Sequence, residues 1–313
     1  MSIEFENVLN FRDVGKTVND YLGRKQLTKT VESPGKACYF AQHDLTPPLA
    51  KWREYASNSR SVDDATLDDR RRLTEELGIR TVIDLRSKTE HASQAKKRQA
   101  DLRIPAALQS NAALAEPMQI TGLIYRQVRV NGRRLERALL RQLSWWSFIK
   151  LIFLYIFGFR VQAIRIMGEE VMQPLGLVGL SLITLDESGP EIVEALQTLI
   201  STHTPAPTLV HCTQGKDRTG MIVALVLLIL RVPTDAIEHD FLLSQPGLEP
   251  ERKERVAEMV QIGLSPAWGD CPPNLVQRVC GHLDVRYGGV EGYLDSVGFE
   301  AEDRARFVEF LGA

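Results

Sequence analysis

The chain has 313 residues, enough for one large domain or for a domain that carries insertions. Hydrophobic residues make up 44% and charged residues 25% of it, as in soluble globular proteins, and the formal net charge of −2 argues against nucleic-acid binding through bulk positive charge. Its four cysteines form no CxxC pair, so neither a disulfide framework nor a metal centre is expected, and no cofactor is predicted.

The first strong pattern along the chain is a helix followed by a strand. Leucines recur at helical spacing over Ser61–Leu77, Gly78 is typical of a helix end, and Ile79–Leu85 is a short apolar run typical of a buried strand. This strand places Asp84 and Arg86 at its carboxyl end, the edge at which open parallel sheets bind ligands. Asp84 is therefore a second candidate for a general acid, and Arg86 stabilises Asp84, helps to hold a substrate or forms a structural ion pair between neighbouring elements.

The segment from about residue 131 to 185 is predicted to be an insertion with an apolar helical part. The stretch Trp145–Phe159 is almost entirely apolar or aromatic, but it is shorter than the ~20 residues of a membrane span, and Lys150 interrupts it. It is expected to be a buried or lid helix, an interfacial membrane helix or a partner surface. Peripheral membrane contact is supported by the arginines on both sides, which suit an anionic surface: Arg133, Arg134, Arg137, Arg141, Arg160 and Arg165.

A strand, a tight loop and a helix follow one another around residue 210. The apolar run Thr208–Val210 predicts a buried strand, and Met221–Leu230, apolar on every face, predicts a helix buried in a core. Between them, His211–Gly220 forms a loop at a helix N-terminus, where backbone N–H groups and the helix dipole favour a phosphate. The loop is therefore predicted to bind an anionic group.

The side chains of this loop are those that phosphate chemistry needs. Only a thiolate attacks phosphorus, and a free thiol with a pKa of ~8.5 is mostly protonated at neutral pH, so the helix dipole and the nearby cations must favour the thiolate of Cys212. The planar guanidinium of Arg218 can hold two phosphate oxygens. Asp217, a carboxylate that is costly in an anion-binding loop, is the first candidate for the general acid. The other loop positions are assigned to phosphate binding (Thr213, Gln214, Gly215 and Lys216, with either positive φ or close approach to the ligand expected at the glycine) or to support of the site (His211 and Thr219).

The loop is compatible with two further interpretations, and both are weaker. A free cysteine beside a buried strand is most often a packing residue, but here six chemically suitable residues share one short window. A sulfur-transfer enzyme also uses a Cys-to-Arg loop, but a shorter one is expected there. Because a catalytic thiolate needs a reducing compartment, and Met1–Glu6 is acidic and does not resemble a secretory signal, the expected location is the cytoplasm.

Four stretches of the chain resemble, in order, the motifs of one family. His211–Gly220 is similar to the signature loop of cysteine-dependent protein tyrosine phosphatases, and specifically to that of the atypical tyrosine/serine phosphatase family, whose loop reads HCxxGKDRTG. Asn10–Gly15 resembles the NFRDVGG motif of that family. Thr81–Ser87, with Glu90 following, resembles its DLRSxxE segment. Tyr287–Leu294 resembles its YGSVEGYL motif, so the resemblance spans nearly the whole chain.

The resemblance implies that Arg12 and Asp13 lie near the active site and brace it, with a surface ion pair as the alternative. The chain also departs from the family pattern. Lys16 stands where the family usually has a second glycine. Cys38–Ala41 occupies the place of a usual Tyr-Arg-Ser, so an arginine often found near that site is missing. The long stretch between about Val128 and Leu185 leaves the shape of the substrate entrance open.

These features together predict an α/β fold of the protein tyrosine phosphatase type, with a central, mostly parallel sheet flanked by helices, in a single phosphatase domain over residues 1–313. The predicted reaction is the hydrolysis of phosphomonoesters through a phosphocysteine, without a metal or a cofactor. The expected substrate is a phosphorylated protein, with phosphotyrosine before phosphoserine or phosphothreonine. Lys216 and the basic-flanked apolar stretch leave a phosphoinositide phosphatase at a membrane surface as one alternative. A weakly active phosphate-binding module is another.

Overall fold

The computed structural model describes residue 5 and residues 8–26, 65–101, 119–200 and 207–312. The strands in these ranges are β1 (Thr81–Asp84), β2 (Ile124–Gln127) and β3 (Thr208–His211). The first helices are α1 (Val14–Gln26), α2 (Leu67–Arg71), α3 (Lys88–Asp101), α4 (Arg133–Leu140), α5 (Trp145–Ile156), α6 (Arg160–Met167), α7 (Gln173–Glu187) and α8 (Gly189–Ile200). They are followed by α9 (Asp217–Ile229), α10 (Thr234–Leu242), α11 (Ser244–Leu248), α12 (Arg252–Gln261), α13 (Leu275–Tyr287), α14 (Val290–Val297) and α15 (Ala301–Gly312).

The described strands form a small parallel sheet in the order β2-β1-β3. In the parallel pairing of β1 with β3, Asp84, the last residue of β1, lies opposite His211, the last residue of β3. The carboxyl ends of these two strands therefore meet at one edge of the sheet, as expected for the candidate site. The predicted α/β class, with a mostly parallel sheet flanked by helices, is confirmed.

The chain divides into two compact units, each built from separate parts of the sequence. The first unit comprises Met1–Val130, Glu194–Gly220 and Arg306–Ala313, and the second comprises Asn131–Val193 and Met221–Ala305. The sheet and the whole loop from His211 to Gly220 belong to the first unit. The assignment of residues 1–313 to one phosphatase domain stays a prediction.

An apolar cluster beneath the sheet holds the first unit together. It joins Leu73 and Leu77 to Ile79, Val82 and Leu209, all of them buried, so β1 and β3 contribute inward-facing side chains to one core. Burying aliphatic side chains of this size stabilises a fold by about 1.5–3 kcal/mol each. The predicted strands are therefore fixed by their apolar residues, which leaves the polar residues at their carboxyl ends available for the site.

The helix predicted over Ser61–Leu77 starts later in the structure. Residues 61–64 lie outside the described ranges, as does Cys38–Ala41, and the described helix begins at Leu67 because Thr66 forms a capping box with Asp69. After Arg71 the helix continues as a π-helical turn. Gly78, with φ +65°, then ends it as predicted.

The second unit is mainly helical, and its α13–α14 region contains the motif predicted from Tyr287–Leu294. Asp186 at the end of α7 accepts hydrogen bonds from Tyr287 at 2.7 Å and contacts the His282 ring nitrogen at 2.8 Å. Tyr293 donates its hydroxyl hydrogen bond to the carbonyl of Leu185 at 3.0 Å. The motif therefore fixes the end of α7, and with it the base of the insertion, to α13 and α14.

The insertion is helical, as predicted, but its most apolar helix is not part of a core. Ser144 caps α5 by accepting a hydrogen bond from the backbone N–H of Ser147, and Gly158, with φ +83°, forms the turn into α6. None of the residues of α5 is buried. The buried-helix interpretation of Trp145–Phe159 is therefore wrong for the α5 part, because α5 packs along one side against α6 and leaves its other side in solvent.

Candidate active site

The sheet edge brings the predicted loop residues together. β3 ends at His211, the loop passes through Cys212, and α9 begins at Asp217. The strand, loop and helix predicted from the sequence are all present, and α9 is buried from Met221 to Leu227 as its uniform apolar pattern indicated. The loop therefore lies between a buried strand and the N-terminus of a buried helix, where the helix dipole is positive.

The backbone of the loop is shaped around the cysteine sulfur. Gly215 has φ +65°, the left-handed region that favours glycine, and its N–H donates a hydrogen bond to Sγ of Cys212 at 3.2 Å. The Cys212 side chain is buried. The loop backbone therefore holds Sγ of Cys212 at the N-terminus of α9, the position expected for the nucleophile of such a loop.

The N-terminal motif braces the loop through Asn10. Its amide Nδ2 donates to the carbonyl oxygens of Gln214 at 3.4 Å and Gly215 at 3.3 Å. Arg12 contacts the loop only indirectly in this network: its Nη1 donates a hydrogen bond to Oδ1 of Asn10 at 3.2 Å. Asp13 accepts from the backbone N–H of Lys16 at 3.0 Å in the first turn of α1. Arg12 thus lies close to the loop through Asn10, a motif residue to which the sequence pattern alone assigned no role, whereas a bracing role of Asp13 stays a prediction.

A carboxylate holds the guanidinium of Arg218 in one orientation. Nη2 of Arg218 donates to Oε1 of Glu90 at 2.5 Å, and Nη1 donates to Oε2 at 2.8 Å. Nη1 also donates to the carbonyl of Leu85 at 3.2 Å, and Nη2 to Oγ1 of Thr213 at 3.2 Å. Burial alone would lower the pKa of Arg218, but its hydrogen bonds to Glu90 and the charges of Cys212, Glu90 and Asp217 raise it, so the cation is permanent.

Glu90 is a site residue that the sequence pattern did not single out as functional. Its carboxylate accepts from the backbone N–H of Ser87 at 2.9 Å while Ser87 Oγ accepts from the Glu90 N–H at 3.3 Å, a capping box at the start of α3. Glu90 also accepts a hydrogen bond from Thr213. Burial would raise the pKa of Glu90, yet the hydrogen bonds and charge of Arg218 lower it to about 2. In the sequence, Glu90 was indicated only by its Ser-x-x-Glu spacing from Ser87.

Asp84 and Arg86 form a buried ion pair beneath the loop. Asp84 accepts from Nε of Arg86 at 2.9 Å and from its Nη2 at 2.6 Å, and both side chains are almost fully buried. Ring nitrogens of His91 and His211 lie 3.5 and 3.7 Å from Oδ2 of Asp84. Burial would raise the pKa of Asp84, but the charge of His211 and the hydrogen bonds of Arg86 hold it well below its ordinary value. A buried, ionised Asp84 is a poor proton donor, so the geometry favours a structural ion pair with Arg86 over a role as general acid.

The three remaining loop residues differ in their access to solvent. The Asp217 side chain is 40% exposed, whereas the neighbouring Lys216 side chain is fully buried, with Nζ 3.9 Å from Oδ1 of Asp217. The Lys216 side chain is therefore not accessible to a ligand from solvent, and its role in phosphate binding stays a prediction. The hydroxyl of Thr219 is buried and forms no hydrogen bond to a described residue, so it can accept or donate one when a further group enters the loop.

Comparison with known proteins identifies the family of the chain. The sequence profile of the Tyrosine phosphatase family matches residues 50–148 and 176–312, and the chain belongs to this family. It is similar to a "Tyrosine-protein phosphatase" of Nostoc commune, with 32% identity over 171 residues, or 49% of this chain and 58% of that protein. It is also similar to the "Triple specificity protein phosphatase PtpB" of Mycobacterium tuberculosis, with 46% identity over 55 residues, or 18% of this chain and 20% of that protein. The matched stretches thus span less than two thirds of either relative.

Proposed function

We propose that the protein hydrolyses phosphomonoesters in two steps through a phosphocysteine on Cys212. The observation that carries this proposal is the hydrogen bond from the Gly215 N–H to Sγ of Cys212, inside a loop whose arginine is already oriented. A buried sulfur that accepts a backbone hydrogen bond at a helix N-terminus is suited to be a nucleophile rather than a packing residue. Membership of the tyrosine phosphatase family supports the same reaction class.

In the first step, Sγ of Cys212 attacks phosphorus, an S–P bond forms and the P–O bond to the leaving group breaks. Charge on the phosphoryl oxygens is stabilised by the backbone N–H groups of residues 213–216 and by the Arg218 guanidinium, which Glu90 keeps in place. Asp217, solvent-accessible at the first position of α9, protonates the leaving oxygen.

In the second step, water attacks the phosphocysteine, the S–P bond breaks and inorganic phosphate leaves with the thiolate restored. Asp217, now ionised, takes a proton from this water. The buried hydroxyl of Thr219 is free to hydrogen-bond to the departing sulfur or to the water.

The proposed substrate is phosphotyrosine on proteins, with phosphoserine and phosphothreonine as further protein substrates, and the proposed location is the cytoplasm. The similarity to proteins named tyrosine-protein phosphatase and triple specificity protein phosphatase supports this substrate class. A reducing cytoplasm keeps the Cys212 thiolate available.

A second candidate is phosphoinositide hydrolysis at a membrane surface. The observation that favours it is the apolar, arginine-flanked helix α5, whose aromatic residues face solvent. Lys216 adds a positive charge within the loop, although its side chain is buried. A weakly active phosphate-binding module is the third candidate, supported only by the same anion-binding loop.

The experiment that separates these candidates measures phosphate release from a phosphotyrosine peptide and from a phosphoinositide panel under identical conditions. Cys212→Ser is expected to abolish turnover and to retain phosphate binding, because the loop N–H groups and Arg218 remain. Turnover of Cys212→Ser close to that of the wild type would contradict the mechanism. Faster lipid than peptide turnover would favour the second candidate, and binding without turnover by the wild type would favour the third.

A further inference from the structure

Helix α5 exposes an apolar face. Apart from Ser147 and Lys150, every residue of α5 is apolar or aromatic, and none is buried. Trp146 is 79% exposed and Ile156 is 72% exposed. Six exposed side chains recur at spacings that place them on one side of the helix, and Tyr155, 62% exposed, borders that side: Trp145, Trp146, Ile149, Ile152, Phe153 and Ile156.

The exposed apolar residues continue through the turn into α6. Phe157 and Phe159 in the turn are exposed, and so are Val161 and Ile164 in α6. The rings of Phe153 and Phe157 lie 4.3 Å apart between centroids, so the turn packs against the end of α5. We call the exposed apolar residues from Trp145 to Ile164 the hairpin surface. Contiguous apolar patches of this kind on a folded protein mark interaction sites.

The charged residues between Arg137 and Gly168 have one sign, and Glu169, just beyond this segment, pairs with Arg165 at 2.7 Å. From Arg137 to Gly168 the sequence contains no aspartate or glutamate. The cations in this segment are Arg137, Arg141, Lys150, Arg160 and Arg165. All five are exposed, while the whole chain has a formal net charge of −2. The matching partner is therefore anionic at its surface and apolar beneath, which describes a bilayer that contains anionic lipids.

Two further observations distinguish this segment from the phosphatase part of the chain. The family profile matches residues up to 148 and again from 176, so most of the hairpin surface lies between the matched parts. The end of the insertion is nevertheless fixed, because Asp186 is bonded to His282 and Tyr287 within the same unit. Most of the hairpin surface thus lies outside the part of the chain that the family profile matches, while the end of the insertion is held in place by the contacts of Asp186.

The geometry favours α5 and α6 lying on the surface of a bilayer over a helix that crosses the bilayer. The stretch Arg160–Glu187 has 28 residues with a mean hydropathy of 1.2 in its most apolar window, enough in length and composition to span a membrane. However, Gly176 has φ +64° and ψ 174°, which breaks the helix. The ion pair between Arg165 and Glu169, at 2.7 Å, also lies inside this stretch.

We propose that the hairpin surface docks the protein on anionic lipid bilayers. The aromatic and aliphatic side chains of α5 enter the boundary between headgroups and acyl chains, while the arginines and Lys150 extend their charged ends to the headgroups. The docking is independent of the reaction at Cys212 and applies whether the phosphorylated substrate is a protein or a lipid.

Co-sedimentation with vesicles tests this proposal, with the full chain and vesicles that contain no substrate. Phosphatidylcholine vesicles are compared with vesicles of phosphatidylcholine and phosphatidylserine. The wild type is expected to bind the second kind, and more weakly at high salt. Trp146→Glu/Ile156→Glu is expected to reduce binding at least tenfold, and Arg141→Gln/Lys150→Gln to reduce it several-fold on the anionic vesicles only. All four positions are solvent-exposed, so these variants keep the fold.

Matched controls change equally exposed residues elsewhere in the same unit. Val260→Glu/Val285→Glu replaces apolar residues that are 51% and 90% exposed, and Lys253→Gln/Arg278→Gln removes two exposed cations. Both controls are expected to bind as the wild type does, and an equal loss in them would overturn the proposal. Absence of wild-type binding to both kinds of vesicle would overturn it as well.

Two other occupants of the hairpin surface give different results. If a second copy of the chain covers it, light scattering will show an oligomer that Trp146→Glu/Ile156→Glu disperses, without vesicle binding. If the hairpin surface is instead a lid over the loop that contains Cys212, the same variant will change the turnover of a soluble aryl phosphate and leave vesicle binding unaltered. Either result overturns membrane docking. Turnover of the aryl phosphate by the wild type is measured in parallel, so a failure of docking is separate from a failure of the phosphatase reaction.

Discussion

At the scale of single residues, the two carboxylates considered as general acids have different surroundings. Asp84 is buried and receives three hydrogen bonds from the Arg86 side chain, which hold it ionised. Asp217 is 40% exposed at the start of α9. A general acid must recover its proton from solvent in every cycle, and of these two only Asp217 has that access. The proposed division of roles between them rests on burial rather than on residue type.

The acid role of Asp217 predicts a loss that depends on the leaving group. Asp217→Asn keeps the side-chain shape and removes the proton, so turnover of aryl phosphates with poor leaving groups is expected to fall about 100-fold or more, and that of good leaving groups much less. Steady-state rates over a series of aryl phosphates measure this dependence. Asp84→Asn is the control, with a loss of stability and no dependence on the leaving group. Equal losses of Asp217→Asn across the series would contradict the assignment.

At the scale of elements, the loop joins a strand and a helix that are each fixed by their own apolar residues. β3 and β1 contribute to one core, and α9 is buried from Thr219 to Leu227. The loop between them therefore has little freedom, and the positive φ of Gly215 aims its N–H at Sγ of Cys212. The strand, the loop and the helix together, rather than any one side chain, form the candidate anion site.

This arrangement predicts that an alanine at position 215 damages catalysis more than stability. Gly215→Ala places a Cβ in the left-handed region at a cost of roughly 1–2 kcal/mol, and relief of this strain would turn the N–H away from sulfur. We expect kcat/KM to fall at least tenfold. Gly78→Ala is a matched control, because Gly78 also has φ +65° and a Cβ there meets nothing within 4 Å. Similar losses of activity in both variants, measured beside urea denaturation, would contradict this role of Gly215.

Local elements were the part of the molecule that could be predicted from the sequence. The strand–loop–helix unit and the positive φ of Gly215 depend on residues close together in the chain, so periodicity and residue type indicate them. Glu90 and Asn10 reach the loop from 128 and 205 positions away, and no local pattern encodes such contacts. The exposure of α5 could not be predicted either, because a short apolar run is equally typical of a buried helix and of an interfacial one.

At the scale of the whole molecule, the pair of Glu90 and Arg218 links the site to acid stability. The pKa of Glu90 falls from an ordinary 4.5 to about 2 in the folded chain. A group whose pKa is lower in the folded than in the unfolded state stabilises the fold at pH values above its unfolded pKa. This contribution is lost as the pH falls from 4.5 towards 2. At one pKa unit per 1.36 kcal/mol, it is about 3 kcal/mol at most at neutral pH.

Glu90→Gln is therefore expected to lower the free energy of unfolding by about 2–3 kcal/mol at pH 7, since it removes the charge and leaves Arg218 without its carboxylate. The difference between wild type and variant should shrink as the pH is lowered through 4.5, because the wild-type carboxyl itself becomes protonated. Urea denaturation followed by circular dichroism at a series of pH values measures it. Glu75→Gln is the control, because its side chain is 70% exposed and lies 3.6 Å from that of the exposed Arg71, a pair expected to contribute well under about 1 kcal/mol. A difference for Glu90→Gln that stays constant or grows towards pH 2 would show that its carboxylate charge does not stabilise the fold.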